Sequence, residues 1–240
     1  MRLQFLAIVL FGILIHTSCR NQPLYKVQYR GSLRSMIHKG DISDKIDLRT
    51  FRNQQHVYAL GVLENLKGEI LIYDGVPYIS VVKDTVGIVD SYNYKAALLV
   101  YTQVKRWQET VIPEDVTTTS DFENFLYSTA NSQKLNVDEP FPFLIIGKVA
   151  SMSWHVIDWV EGDTVHTHEK HRTAGIKGVI EDVEVEILGF HYDKPGIFTH
   201  HSSNIHMHAK TRDVRLAAHV DDIMFGDEMR LLLPTHESER

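Results

Sequence analysis

Three histidines, His206, His208 and His219, fall within the seventeen-residue stretch NIHMHAKTRDVRLAAHV. A β-strand alternates its side chains between two faces, so His206 and His208 share one face and Ile205, Met207 and Ala209 share the other. Thr211 to Val214 reads as a tight turn. With Arg212-Asp213 at its centre, antiparallel pairing sets His219 opposite His206, and three imidazoles converge on one face of a hairpin. Neutral imidazole nitrogens bind zinc and other transition metals, and three protein ligands leave coordination positions open, as a catalytic site requires. The plainer alternative is a set of half-buried strand histidines with no ligand.

The elements that must position this hairpin can be read along the chain. Ser32 to His38 fits a short helix ended by Gly40. His56–Leu63 reads as a strand, residues 65–68 (NLKG) as a turn, and Glu69–Tyr73 as a strand. Asp74-Gly75 is a hairpin turn with Pro77–Lys83 returning from it. Residues 95–111 hold another apolar run. Ser120 with Glu123 spells a capping box, predicting a helix over 121–132 with Phe122, Phe125 and Leu126 inward. Strands follow at 140–150, 153–160, 179–192 and 229–233, with a polar loop over 161–173. The resulting class is α+β: two subdomains of mixed or antiparallel sheet with few helices.

The chain has 240 residues and a formal net charge of −6, with no basic run, so nucleic acid is not an expected partner. Met1-Arg2, an apolar run to Ile15 and then His-Thr-Ser-Cys have a signal-peptide layout, similar to a bacterial lipoprotein signal cleaved before a lipidated cysteine. The expected organisation is a signal over 1–18, a tether over 19–28, an N-terminal α+β domain over 29–138 and a C-terminal metal-binding domain over 139–240. The expected location is outside the cytoplasm of a bacterium, lipid-anchored through Cys19 and facing the periplasm or the exterior. Cys19 is the only cysteine, so no intrachain disulfide is available. Eleven of the fourteen histidines lie at or beyond His155, which directs the chemistry to the C-terminal half. No glycine-rich phosphate loop or serine nucleophile elbow occurs.

Taken in order, residues 40–43 (GDIS), 58–78 (YALGVLENLKGEILIYDGVPY), the FPFLIIGKV segment, VEVEILGFHY and the H-x-H-x10-H hairpin resemble the α-acetolactate decarboxylase family from about Ser32 to Pro234. The resemblance implies a two-domain α+β fold, commonly homodimeric. It implies one zinc per chain held by His206, His208 and His219, with Glu69 as a catalytic-site carboxylate. The implied reaction turns 2-acetolactate, a small keto acid, into acetoin and carbon dioxide. The family carries an arginine in the strand matching Phe143–Lys148, where this chain offers Lys148. It carries a further glutamate before the last strand, where Asp227 or Glu228 is available; Glu228 is the candidate. Ala217 and Ala218 replace glycines before the last zinc histidine. These departures also fit a non-catalytic, metal-containing module of the same fold that binds a ligand or partner. His200 and His201 are candidates for lining the pocket. His191 reads as a surface position, and His166, His168 and His171 as part of a solvated loop.

Overall fold

Alternating and continuous apolar runs place thirteen strands and three α-helices among the described residues. In order they are β1 (Gln28–Arg30), α1 (Leu33–Lys39), β2 (Ile46–Asp47), β3 (Val57–Leu63), β4 (Glu69–Tyr73), β5 (Val76–Val82), β6 (Val86–Val89) and β7 (Lys95–Gln103). Then come β8 (Trp107–Val111), α2 (Thr119–Ser132), β9 (Phe141–Ile157), α3 (His168–Thr173), β10 (Gly175–His191), β11 (Ile205–Thr211), β12 (Ala217–Met224) and β13 (Arg230–Pro234). The structure is a computed structural model and describes residues 24–199 and 203–235. The expected signal segment, Cys19, His200 and His201 lie outside the described residues. No helix among the described residues is long and apolar enough to cross a membrane.

The strands form two sheets, and every pairing is antiparallel. The first runs β1-β7-β3-β4-β5-β6, with β2 also on β7. The second runs β10-β11-β12-β9-β13-β8, and β9 also pairs with β10 along its whole length. Since β10 pairs with β11, β11 with β12, and β12 with β9, these four strands close into a ring. The changeover between sheets falls between Gln103 and Trp107, so β8 and α2 join the second sheet although both precede residue 139.

Period-two alternation decides which face goes where. Leu60, Leu71 and Leu98 turn toward the second sheet and pack with Leu144, Leu188 and Phe190. Ala59, Ile70, Ile72 and Leu99 turn the other way, beneath Leu48 and Phe51. Both faces of the central strands are therefore covered, which explains why VYALGVL reads as a continuous apolar run. On the far face of the second sheet, Phe122 and Leu126 of α2 pack with Ile205, Met207 and Ala209. Burying each of the leucine, isoleucine, methionine and phenylalanine side chains among these stabilises the fold by roughly 1.5–3 kcal/mol.

The helix begins two residues earlier than the sequence pattern indicates. Thr118 is its N-cap, and a capping box joins Thr118 to Asp121. The Ser120/Glu123 pair spells the same motif but is displaced. Glu123 instead accepts a hydrogen bond from Ser203 Oγ at 2.5 Å, tying α2 to the approach of β11. Thr118→Ala is expected to cost about 1 kcal/mol in a urea titration, with Ser120→Ala near neutral. Equal losses from both would refute this cap. Residues 161–173 also depart from a plain loop, because 168–173 form α3, with Thr167 as its N-cap.

Candidate metal centre and active site

The site is assembled on the sheet-to-sheet face of the ring. His208 on β11 lies directly opposite His219 on β12, which in turn lies opposite His155 on β9. The expected partner of His219 was His206. The register differs because the turn is longer: residues 212–215 make the loop, and its centre falls between Asp213 and Val214. Thr211 Oγ1 organises it, donating to Asp213 and accepting from the backbone of Arg215 and Leu216, while Val214 takes a left-handed φ of 57°. His206 shares the face of His208, so the three rings still converge.

His219 Nδ1 lies 3.2 Å from His206 Nε2 and 3.3 Å from His208 Nε2. Three nitrogens bound tetrahedrally at about 2.05 Å from a zinc ion would stand about 3.3 Å apart, so the spacing fits a tetrahedral metal face. The chemistry of the donors fits as well. A neutral imidazole brings one N–H, so hydrogens cannot satisfy every facing nitrogen, whereas one cation on their common side would. Burial pushes His208 down to about 3, with a further push from neighbouring His155, so its ring is neutral and needs no proton displaced before binding.

Glu69 comes from the other sheet. It is the first residue of β4, set there by the turn before it, in which Leu63 N–H donates to the Gly68 carbonyl at 3.0 Å. Gly68 has φ 141°, and a Cβ there would stand 2.1 Å from the Ser80 carbonyl oxygen, so only glycine fits the turn. Glu69 is 4 % exposed. Its Oε2 lies 3.6 Å from His208 Nε2, and its Oε1 accepts from Ile157 N–H at 3.3 Å. Burial raises Glu69 to about 7, against the lowering influence of His155 and the Ile157 N–H.

The sequence pattern passed over two further members of the site. His155 Nε2 lies 3.9 Å from Glu69 Oε1, and its Nδ1 is 2.9 Å from the carboxylate of Asp221. Asp221 sits at a bulge, where the β12–β9 register jumps between Val220 and Asp222. Bulges of this kind re-aim a side chain. The signal for Asp221 was its place two residues after His219 on one strand; His155 had no comparable mark. His155, His219 and Asp221 form a second set of donors within 4.8 Å of one another. There the His155–Asp221 contact is already a complete hydrogen bond, so the trihistidine face is the better metal site.

A cavity of about 410 Å³ opens beside these groups, lined by Glu69, His155, His206, His219 and Asp221, by apolar side chains such as Leu33, Met36 and Ile157, and by α3. His168 and His171 of α3 face this cavity, and His166 is buried beneath the helix. His166 is therefore not in a solvated loop and is joined to half-buried His171, whereas His168 is exposed at the start of the helix. Lys148 is elsewhere. Its ammonium is exposed and pairs with Asp182 at 3.2 Å. Glu228 is exposed in the turn before β13, and neither residue is among those lining the cavity. His191 is buried rather than on the surface, stacked on Phe141 at 4.7 Å between ring centroids.

Fold and site together define a two-sheet α+β protein with a candidate trihistidine metal centre facing a buried carboxylate. The alpha-acetolactate decarboxylase family matches residues 28–237, and the chain belongs to that family. Among solved structures, a Staphylococcus aureus protein of unknown function similar to alpha-acetolactate decarboxylase aligns with a TM-score of 0.67 at 14% identity, covering 88% of this chain and 86% of that one. The alpha-acetolactate decarboxylase of Bacillus subtilis strain 168 aligns with a TM-score of 0.65 at 15% identity, with the same coverage. At such identities these likenesses show the fold alone. No curated protein matches the chain.

Proposed function

We propose that this protein is a metal-dependent decarboxylase of a small 2-hydroxy-3-keto acid, with 2-acetolactate as substrate and acetoin and carbon dioxide as products. The observation that carries the reading is a trio of imidazoles, with His219 Nδ1 at 3.2 and 3.3 Å from the other two nitrogens, beside a buried Glu69 in a chain of this family. His206, His208 and His219 would hold the metal, zinc in the first instance. A divalent ion there would supply Lewis-acid stabilisation of negative charge on substrate oxygens.

The remaining work falls to the chain's own residues. Breaking the bond between C2 and the carboxylate leaves an electron pair on C2, delocalised into the C3 ketone as an enediolate. A proton added at C2 completes acetoin. Glu69, raised to about 7, holds a transferable proton at neutral pH. Its Oε1 is occupied by the Ile157 N–H, which assigns the proton to Oε2. Asp221 fixes the ring of His155, which faces Glu69 at 3.9 Å. Leu33, Met36 and Ile157 keep the wall dry, strengthening these interactions.

Zinc-loaded protein mixed with racemic 2-acetolactate should release carbon dioxide and acetoin in equal amounts, and apoprotein should release neither. A folded, zinc-loaded chain that yields no acetoin would sink the proposal. A second reading, a metal-containing binding module, is favoured by one observation: Lys148 and Glu228, the two charged candidates offered by sequence, stay at the surface.

A further inference from the structure

We infer that Arg172, on α3, is the carboxylate-binding residue of this cavity. The inference rests on the reading of the substrate as a keto acid, and deepens it.

A substrate carboxylate would enter a cavity that already contains Glu69 and Asp221, so it needs a cation. Among the described residues lining the cavity, Arg172 is the one side chain that stays cationic at every working pH. Lysines that might serve instead are committed elsewhere. Lys148 pairs with Asp182, Lys170 with Asp163, and Lys210 with Glu186.

The helix that carries Arg172 is docked on the body of the protein. The ring of His166 stacks on Trp159 at 4.6 Å between centroids, and His166 Nδ1 lies 3.0 Å from His171 Nε2. Trp159 is itself 3 % exposed, so α3 stands on a rigid floor. Arg172 thus approaches the mouth from a defined direction. Its present partner is Glu169, one turn back, at 3.0 Å, with side chains 58% and 70% exposed. A solvated pair of this kind is weak and opens readily. The guanidinium then offers a planar fork that matches a carboxylate with two parallel hydrogen bonds.

The test uses 2-hydroxy-2-methylpropanoate, a carboxylate that cannot decarboxylate by this route, and its neutral amide, titrated by calorimetry into the zinc-loaded chain. Arg172→Gln should weaken the carboxylate about 10- to 100-fold and leave the amide unchanged, as expected for loss of charge-assisted hydrogen bonds. Glu169→Gln, which frees the guanidinium, should tighten the carboxylate about 2- to 5-fold. The inference is overturned if wild type does not bind the carboxylate, if Arg172→Gln binds it as well as wild type, or if carboxylate and amide weaken together. Arg172-dependent binding with no carbon dioxide released would uphold the inference and defeat the decarboxylase reading. Turnover with a KM indifferent to Arg172→Gln would do the reverse.

Discussion

Glu69→Gln should lower acetoin formation about 10²- to 10⁴-fold, the range for loss of a positioned acid–base group, with zinc content unchanged. The amide keeps the shape of the carboxyl and can still accept from the Ile157 N–H, but it cannot carry the proton. A binding module would show no comparable loss of any activity, so this variant separates the two readings. The same substitution has a signature in the metal-free protein. Glu69 is raised in the folded state from 4.5 to about 7, mainly by burial. The folded state therefore holds this proton more tightly than the unfolded state. Its contribution to stability is intact below about pH 4.5 and is lost as pH rises to about 7, by up to about 3 kcal/mol. Glutamine removes that penalty. Metal-free Glu69→Gln and wild type should have similar denaturation midpoints at pH 4, with the variant pulling ahead by pH 8. Parallel stability profiles across that range would show that Glu69 is not a buried acid.

His208→Ala should drop zinc from about one per chain to less than about 0.1, because two imidazoles cannot replace a three-ligand face. His208 is the deciding position because the two possible donor sets share His219 but not His208. Elemental analysis of His155→Ala should show zinc retained. The opposite pattern, with zinc surviving in His208→Ala and lost in His155→Ala, would move the metal to the His155–His219–Asp221 set. His208 is 1 % exposed, so circular dichroism should accompany the assay to establish that the variant folds.

Much of this arrangement was legible in the residues. The β4–β5 hairpin sits where Glu69–Tyr73, Asp74-Gly75 and the return strand placed it, because a two-residue turn with a left-handed glycine leaves little freedom. Helix α1 likewise runs from its Ser32 cap to a left-handed Gly40. What escaped the sequence was whatever tertiary contacts decide. The β11–β12 register turned on Thr211 Oγ1 favouring a four-residue loop. Two overlapping capping motifs were resolved by Ser203 claiming Glu123. Helix α3 exists because Trp159 and His166 stack across a stretch whose composition alone reads as solvent. His155 is an ordinary strand residue until β12 arrives beside it.

The ring of β9 to β12 has a consequence for the order in which the molecule comes into being. Glu69 and His219 lie far apart along the chain, and β12, which sets His219 between His208 and His155, is made after both of their strands. As the polypeptide emerges, the first sheet can form and pack while nothing resembling the site yet exists. Contacts of such long sequence separation form late and slowly. The three histidines share one hairpin, so it is their meeting with Glu69 and His155 that belongs to the finished fold alone. Turnover per bound metal, rather than metal content itself, would then serve as a census of molecules that have completed folding.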